Sequence, residues 1–123
     1  MERVLGIGGL FFRAADPGRL ATWYSEHLGI DPPPATYGEP SWQQEAGATV
    51  FAALPGDSEH FPPDVSWAIN FRVRDLAAMI EQLETAGIVV ERDQETYPNG
   101  IFANLHDPEG NSIQLWEPAG KDS

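Results

Sequence analysis

The chain contains no cysteine, few basic residues and no long apolar run. Without cysteine it can form neither disulfides nor zinc–thiolate sites, and it has no thiol nucleophile. The 7 Lys and Arg residues against 19 Asp and Glu give a formal net charge of −12, which disfavours nucleic acid and anionic membranes as partners. No segment approaches the roughly 20 apolar residues of a membrane span. We expect a cytoplasmic protein without a signal peptide.

The chain does contain an internal repeat. Residues 10–16 (LFFRAAD) are similar to residues 69–75 (INFRVRD). Each segment alternates apolar residues, which predicts a strand with one buried face. Each is followed by a helical pattern that ends at a glycine, Gly29 in the first half and Gly87 in the second. The two halves are therefore predicted to be copies of one structural module.

Both predicted helices have a clear starting signal. Asp16 and Asp75 are good N-caps, because a carboxylate accepts hydrogen bonds from the free N–H groups of a first helical turn. Apolar residues then recur at helical spacing. We therefore predict helices over residues 17–28 and 76–86.

Short strands are predicted after each helix. In the first half they cover about residues 41–45 and 48–53, with a turn between them. In the second half they cover about residues 100–106 and 111–117. The residues between this last pair, 107–111 (DPEGN), form a strong turn signal, since proline presets one backbone dihedral and glycine accepts a positive one.

This order of elements, with residues 23–29 (WYSEHLG) and 107–115 (DPEGNSIQL), resembles the vicinal oxygen chelate superfamily of glyoxalases, bleomycin-resistance proteins and extradiol dioxygenases. The resemblance implies an α+β fold in which two βαβββ modules form a curved mixed β-sheet cleft with helices outside. We expect one domain over residues 1–123, with modules at about 5–53 and 66–118 and a linker at 54–65. One fold hosts many functions, so function has to be argued from the site.

Strand parity predicts which side chains face the cleft. If the apolar residues of each strand pack on the helices, the intervening residues point to the opposite face. This interpretation predicts a ligand site with aromatic walls and a few amide groups, suited to a planar or hydrophobic small molecule. Its predicted residues are Phe11, Phe51, Asn70, Phe102, Asn104, Gln114 and Trp116. Trp42 and Trp67 are expected nearby.

The resemblance also implies four metal-ligand positions. Carried onto this chain they fall on Gly9 (or Gly8), Phe51, Ala68 and Gln114. Only Gln114 has a side-chain donor, and a catalytic divalent ion usually needs about three protein ligands. We therefore predict no metal and no cofactor. The three dispersed histidines are expected to be structural or on the surface.

Two interpretations of function remain open. The first is a metal-free binding protein that holds a small aromatic or amphipathic ligand, with a preference for cations that the acidic charge would favour. The second is a lyase or dioxygenase of the same superfamily with non-standard residues, for which Glu45, Glu117 or a histidine would supply acid–base chemistry. Because proteins of the superfamily are usually dimers, we also expect a homodimer.

Overall fold

The computed structural model describes all residues from Met1 to Ser123. It contains two α-helices, four β-strands and a short C-terminal 3-10 turn. In chain order these are α1 (Pro17–Leu28), β1 (Ile69–Arg72), α2 (Leu76–Thr85), β2 (Glu91–Arg92), β3 (Gly100–His106), β4 (Ser112–Pro118) and the 3-10 turn (Gly120–Asp122). Neither α-helix is long and apolar enough to cross a membrane.

The four strands form one open mixed sheet. Their order is β1-β4-β3-β2, with β1 parallel to β4 and the other two pairings antiparallel. The segment from β1 through α2 to β4 is thus a complete βαβββ module. The predicted α+β class with a mixed sheet is confirmed.

Both helices pack on the same side of this sheet. The core consists of buried side chains from α2, β3 and β4, and residues of α1 such as Trp23, Tyr24 and Leu28 pack against it. The fully buried members are Leu76, Leu83, Ala103, Ile113 and Leu115, each 0% or 1% exposed. Burying the leucine and isoleucine side chains among them is the main stabilisation of the module, at roughly 1.5–3 kcal/mol each.

The helix boundaries agree with the capping signals. The Asp16 side chain accepts a hydrogen bond from the backbone N of Arg19 (3.2 Å), and Asp75 accepts one from Ala78 (3.0 Å). Helix α1 covers the predicted residues, and Gly29 ends it with φ 71°. Helix α2 ends at Thr85, one residue before the predicted end.

The strands predicted for the first half are not formed. Residues 10–14, 41–45 and 48–53 have no regular secondary structure and no strand partners, so the first half contributes α1 alone to the regular structure. Seven of the 11 prolines fall between residues 32 and 63, outside these three segments, and they limit how far any strand could extend there, since proline lacks the N–H that a strand ladder needs. In addition, the Glu45 carbonyl accepts a hydrogen bond from the Arg72 guanidinium (2.7 Å) instead of from a neighbouring strand.

The second half contains one strand that the sequence patterns did not predict. Strand β2 has only two residues, Glu91 and Arg92, which pair with Asn104 and Ala103 of β3. The β-branched run at residues 88–90 is a signal that could have predicted it.

Candidate functional site

The side of the sheet away from the helices is the candidate site, and we call it the open face. Ala103 and Leu105 of β3 and Ile113 and Leu115 of β4 are buried toward the helices. Because side chains alternate along a strand, the residues between them point to the other side. The open face therefore carries the side chains of Phe102, Asn104, Gln114 and Trp116, and those of Asn70 and Arg72 on β1.

Polar side chains form one row across all four strands of the open face. Asn70 pairs in register with Gln114, Gln114 with Asn104, and Asn104 with Glu91. Directly opposed residues of neighbouring strands point to the same face. We call these four residues the polar row. It places Asn70, Asn104 and Gln114 together, and it adds Glu91, which was not among the predicted site residues.

Two members of the polar row are already hydrogen-bonded to each other. The Asn70 side-chain nitrogen donates to Gln114 Oε1 at 2.8 Å. This bond leaves the carbonyl oxygen of Asn70 and the NH₂ group of Gln114 free. An amide has one acceptor and one donor group, so the joined pair still presents one of each. The pair can therefore bind a ligand group that both donates and accepts, such as an amide or a lactam.

Aromatic side chains form the next row of the open face. The rings of Phe102 and Trp116 are stacked, with centroids 6.1 Å apart and planes 2° apart, and Tyr97 meets Phe102 edge-on at 5.8 Å. Trp116 is only 3% exposed, and its indole N–H donates to the carbonyl of Asn99 (2.8 Å). Phe102 is half-buried. Hence Phe102 is the more exposed ring of the pair, and Trp116, predicted to line the cleft, is buried beside it.

Phe11 and Phe51 are not part of this group in the structure. Both lie on segments without strand partners, and their side chains are 94% and 93% exposed. The parity that assigned them to a cleft presupposes a sheet in the first half, and that sheet is not formed. Trp67 also departs from expectation, because it packs on Phe12 (5.7 Å) on the side of helix α1.

One edge of the open face is covered by the first half of the chain. The Arg72 guanidinium donates to the Glu45 carbonyl and lies against Gly47, where a Cβ atom would collide with it. The salt bridge between Arg74 and Glu45 (3.6 Å) joins the same two segments. Arg72 is thus engaged at the β1 edge, while the β2 edge stays open.

The four family metal positions do not fit a metal ion. Gly9, Phe51 and Ala68 have no side-chain donor, and the Gln114 carbonyl oxygen accepts from Asn70. No group of three or more His, Asp or Glu side chains is arranged to hold an ion. A single neutral amide cannot replace the hydration shell of a divalent cation.

The two carboxylates considered for acid–base chemistry, Glu45 and Glu117, have other partners. Glu117 points to the helix side, where Oε1 accepts from the backbone N of Leu76 (2.9 Å) at the start of α2. Glu45 is exposed and pairs with Arg74. His27 packs on Trp23 (5.4 Å), and His60 is exposed in a loop. Of the three histidines only His106 is on the open face, opposite Ser112 at its end.

A buried hydrogen bond attaches helix α1 to the turn between β3 and β4. The Tyr24 hydroxyl donates to Asp107 Oδ2 at 2.7 Å, and Asp107 is 5% exposed. Burial, and secondarily the hydrogen bond and charge of Asp107, raise the pKa of Tyr24. The Glu109 carboxylate of the same turn accepts from the backbone N–H groups of Ala15 and Asp16. The turn therefore anchors the start and the middle of α1.

Comparison with known protein families identifies the family of this chain. The sequence profile of the glyoxalase-like domain matches residues 9–116. The chain therefore belongs to the glyoxalase-like domain family, and the resemblance to the vicinal oxygen chelate superfamily is confirmed. No curated protein matches the sequence.

Solved structures show the same fold. TnmS3, an antibiotic binding protein from Streptomyces sp. CB03234, is 22% identical, with 85% of this chain and 88% of that chain covered at a TM-score of 0.52. A glyoxalase/bleomycin resistance protein from the same strain is 30% identical over 41% of this chain and 43% of that one (TM-score 0.37). A protein from Bacillus anthracis assigned to the glyoxalase family is 28% identical over 50% and 49% (TM-score 0.40). The chain thus spans half or less of the length of the last two structures. With TM-scores of 0.40 and 0.37, these two structures do not support the fold assignment.

Proposed function

We propose that the open face binds a small aromatic or amphipathic molecule, and that the protein acts as a metal-free binding protein. The observation that carries this proposal is the adjacency of two rows. Phe102 lies two residues from Asn104 on β3, so its ring adjoins the polar row, in which Asn70 and Gln114 are hydrogen-bonded to each other. Small-molecule sites commonly combine apolar surface with a few placed polar groups.

The proposal assigns a role to each row. The Phe102 ring, held parallel to Trp116, would stack on a planar part of the ligand. The amide pair and Asn104 would hydrogen-bond its polar groups and fix its orientation. Binding is favoured over catalysis because Glu45 and Glu117, the two carboxylates considered for acid–base chemistry, are engaged elsewhere, which leaves His106 at the end of the open face as the remaining candidate.

The comparisons support a binding role at the level of the family. Of the structures compared, TnmS3 is an antibiotic binding protein with the same fold. At 22% identity this likeness concerns the fold, so the ligand of the present chain has to be found by experiment.

The test is fluorescence titration with N-acetylated dansylcadaverine, a neutral probe with a planar naphthalene ring. Wild type should bind it, and Phe102→Ala should weaken binding about tenfold, since a stacked ring contributes roughly 1 kcal/mol beyond its buried area. Phe51→Ala is the matched control and should leave the dissociation constant unchanged. Equal losses in both variants, or none in Phe102→Ala, would contradict the proposed location. Phe102→Leu keeps apolar volume if the alanine variant fails to fold.

The absence of a functional metal is tested separately. Protein purified without chelators should contain far less than one equivalent of nickel, zinc, iron or manganese. Adding EDTA should not lower the melting temperature, because a ligand that binds only the native state would stabilise it. One equivalent of tightly held metal, with a loss of stability in EDTA, would refute the metal-free proposal.

We also propose that the protein is a homodimer. The single chain exposes 9752 Å², whereas a compact monomer of 13.5 kDa is expected to expose about 6,500 Å². Of the 15 large apolar residues that are exposed, 13 lie between Met1 and Val65. A second copy could cover this surface. Sedimentation should show a dimer at micromolar concentration, and a monomer at all concentrations would contradict the proposal.

A further inference from the structure

Glu91 occupies the outer end of the polar row. It lies on the edge strand β2, directly opposite Asn104, and its side chain points to the open face like the amides beside it. The next residue, Arg92, pairs with the buried Ala103 and so points to the helix side. Glu91 is therefore the one charged group in a row whose other three members are neutral amides.

The carboxylate of Glu91 has no partner within the chain. The only salt bridge joins Arg74 to Glu45. Asp93, the other acid on this edge of the open face, has both oxygens occupied, since Oδ2 accepts from the Tyr97 hydroxyl (2.9 Å) and Oδ1 from the backbone N of Glu95 (3.0 Å). Glu91 is exposed and takes part in no side-chain hydrogen bond. It is thus free to bind a group from outside.

The charges of the open face are distributed unequally between its two edges. At the β1 edge, Arg72 is engaged by the Glu45 carbonyl and covered by residues 45–47. At the β2 edge, Glu91 presents an unpaired negative charge to solvent, whereas Asp93 is partly buried and both its oxygens accept hydrogen bonds. A ligand on Phe102 and the amides therefore meets an uncompensated carboxylate in one direction only. From strand spacing and rise, the Cα positions of Phe102 and Glu91 are about 8 Å apart.

We propose that Glu91 is the anionic anchor of the site and selects ligands that carry a protonated amine. The aromatic part of such a ligand lies on Phe102, its polar linkage runs along the amides, and its ammonium group pairs with Glu91. This inference rests on the proposed binding function and extends it by naming the ligand class, a planar aromatic cation with the charge on a short arm.

The test compares two probes that differ in one charge. Dansylcadaverine has a protonated amine on a flexible arm at neutral pH, and its N-acetyl derivative is neutral with the same ring. Wild type should bind the amine about fivefold more tightly, because a partly exposed ion pair contributes up to about 1 kcal/mol. The preference should shrink in 0.5 M salt, which screens charges beyond about 4 Å.

The decisive variant is Glu91→Gln, with Glu81→Gln as the matched control. Glu81 lies on α2 beside Ala77 and Arg92, on the opposite side of the sheet, so both variants lose the same charge. We expect Glu91→Gln to abolish the preference, so that the amine and its N-acetyl derivative bind with about the same dissociation constant. The N-acetyl probe should bind this variant as it binds wild type. Glu81→Gln should keep the preference. An unchanged preference in Glu91→Gln would refute Glu91 as the anchor, and an equal loss in both variants would show that the overall negative charge attracts the amine.

Failure of this inference can be told apart from failure of the proposed function. Suppose that Phe102→Ala weakens binding of the neutral probe, but Glu91→Gln does not change the preference for the amine. The binding site is then supported, and the role of Glu91 as anchor is refuted. If neither probe binds wild type, or if Phe102→Ala leaves the dissociation constants unchanged, the proposed binding site is refuted, and the role of Glu91 with it.

Discussion

Residues 1–66 and residues 69–118 contain apolar segments of similar kind, yet only the second region forms a sheet. In the second region each strand has a partner, and the buried side of the sheet is covered by α2 and α1. In the first region the corresponding segments have no neighbouring strand, and Leu10, Phe11, Val50 and Phe51 are largely exposed. The difference shows that an alternating pattern defines a strand only where an edge is available to pair with it.

The turns of the two regions explain part of this difference. Between β3 and β4, Asp107 Oδ1 accepts from the backbone N–H groups of Glu109 (2.9 Å) and Asn111 (3.0 Å), and Oδ2 accepts from the Asn111 side chain (2.8 Å). This network holds the strand ends together. The corresponding turn of the first region, at Ala46 and Gly47, has no side chain that can do this.

The largest expected contrast between the regions is in core packing. Leu83→Ala should lower the free energy of unfolding by about 2–5 kcal/mol, since Leu83 is 0% exposed and its loss leaves a cavity. Leu5→Ala is the matched change in the first region, where Leu5 is fully exposed at 108%, and should cost less than about 0.5 kcal/mol. Urea denaturation measures both. Similar losses would mean that Leu5 is buried in solution, for example by a second copy.

A smaller loss is expected from removing the turn network. Asp107→Ala should lower the free energy of unfolding by about 2–3 kcal/mol, because Tyr24 and two backbone N–H groups lose a buried charged acceptor. Asp57→Ala, in an exposed loop, should be neutral. A neutral Asp107→Ala would show that the turn does not hold α1 and the strand ends together.

Removing only the hydrogen bond between Tyr24 and Asp107 should lower the free energy of unfolding by a smaller amount. Tyr24→Phe deletes the hydroxyl that donates to Asp107 and should destabilise the protein by about 1 kcal/mol. Tyr97→Phe removes a similar but exposed bond to Asp93 and should cost a smaller amount. If the two variants lose equal stability, burial does not make the hydrogen bond of Tyr24 more stabilising than the exposed bond of Tyr97.

The smallest effect is a dependence on alkaline pH. The pKa of Tyr24 is raised in the folded protein, chiefly by burial, above the ordinary value of about 10. Above that pH the unfolded chain loses the proton while the folded chain keeps it, so the contribution of Tyr24 to stability is present below pH 10 and is lost as pH rises. Between pH 9 and 10.5 the stability advantage of wild type over Tyr24→Phe should fall by about 0.5 kcal/mol, a value reduced because the half-buried group is partly screened. A constant difference across this range would contradict a raised pKa.

The candidate site was predicted in part. Asn70, Phe102, Asn104, Gln114 and Trp116 were assigned to one face by parity, and the structure places them on one face. Glu91 was missed because a strand of two residues carries no periodic signal of its own, and the β-branched run at residues 88–90 that hints at it ends one residue before Glu91. The burial of Trp116 was not predictable either, since it depends on the loop that brings the Asn99 carbonyl to its N–H group.

The sequence by itself determined the local features of this protein. The N-caps Asp16 and Asp75, the turn that begins at Asp107 and the alternation along β3 and β4 are set by interactions within a few residues, so their patterns predict the elements. Only the tertiary structure decided which strands exist in the first half, which ring of the aromatic pair is accessible and that Glu91 joins the amides. Each of these depends on which distant segment supplies a pairing edge or a covering group, and such long-range pairing is not encoded in any local spacing of residues.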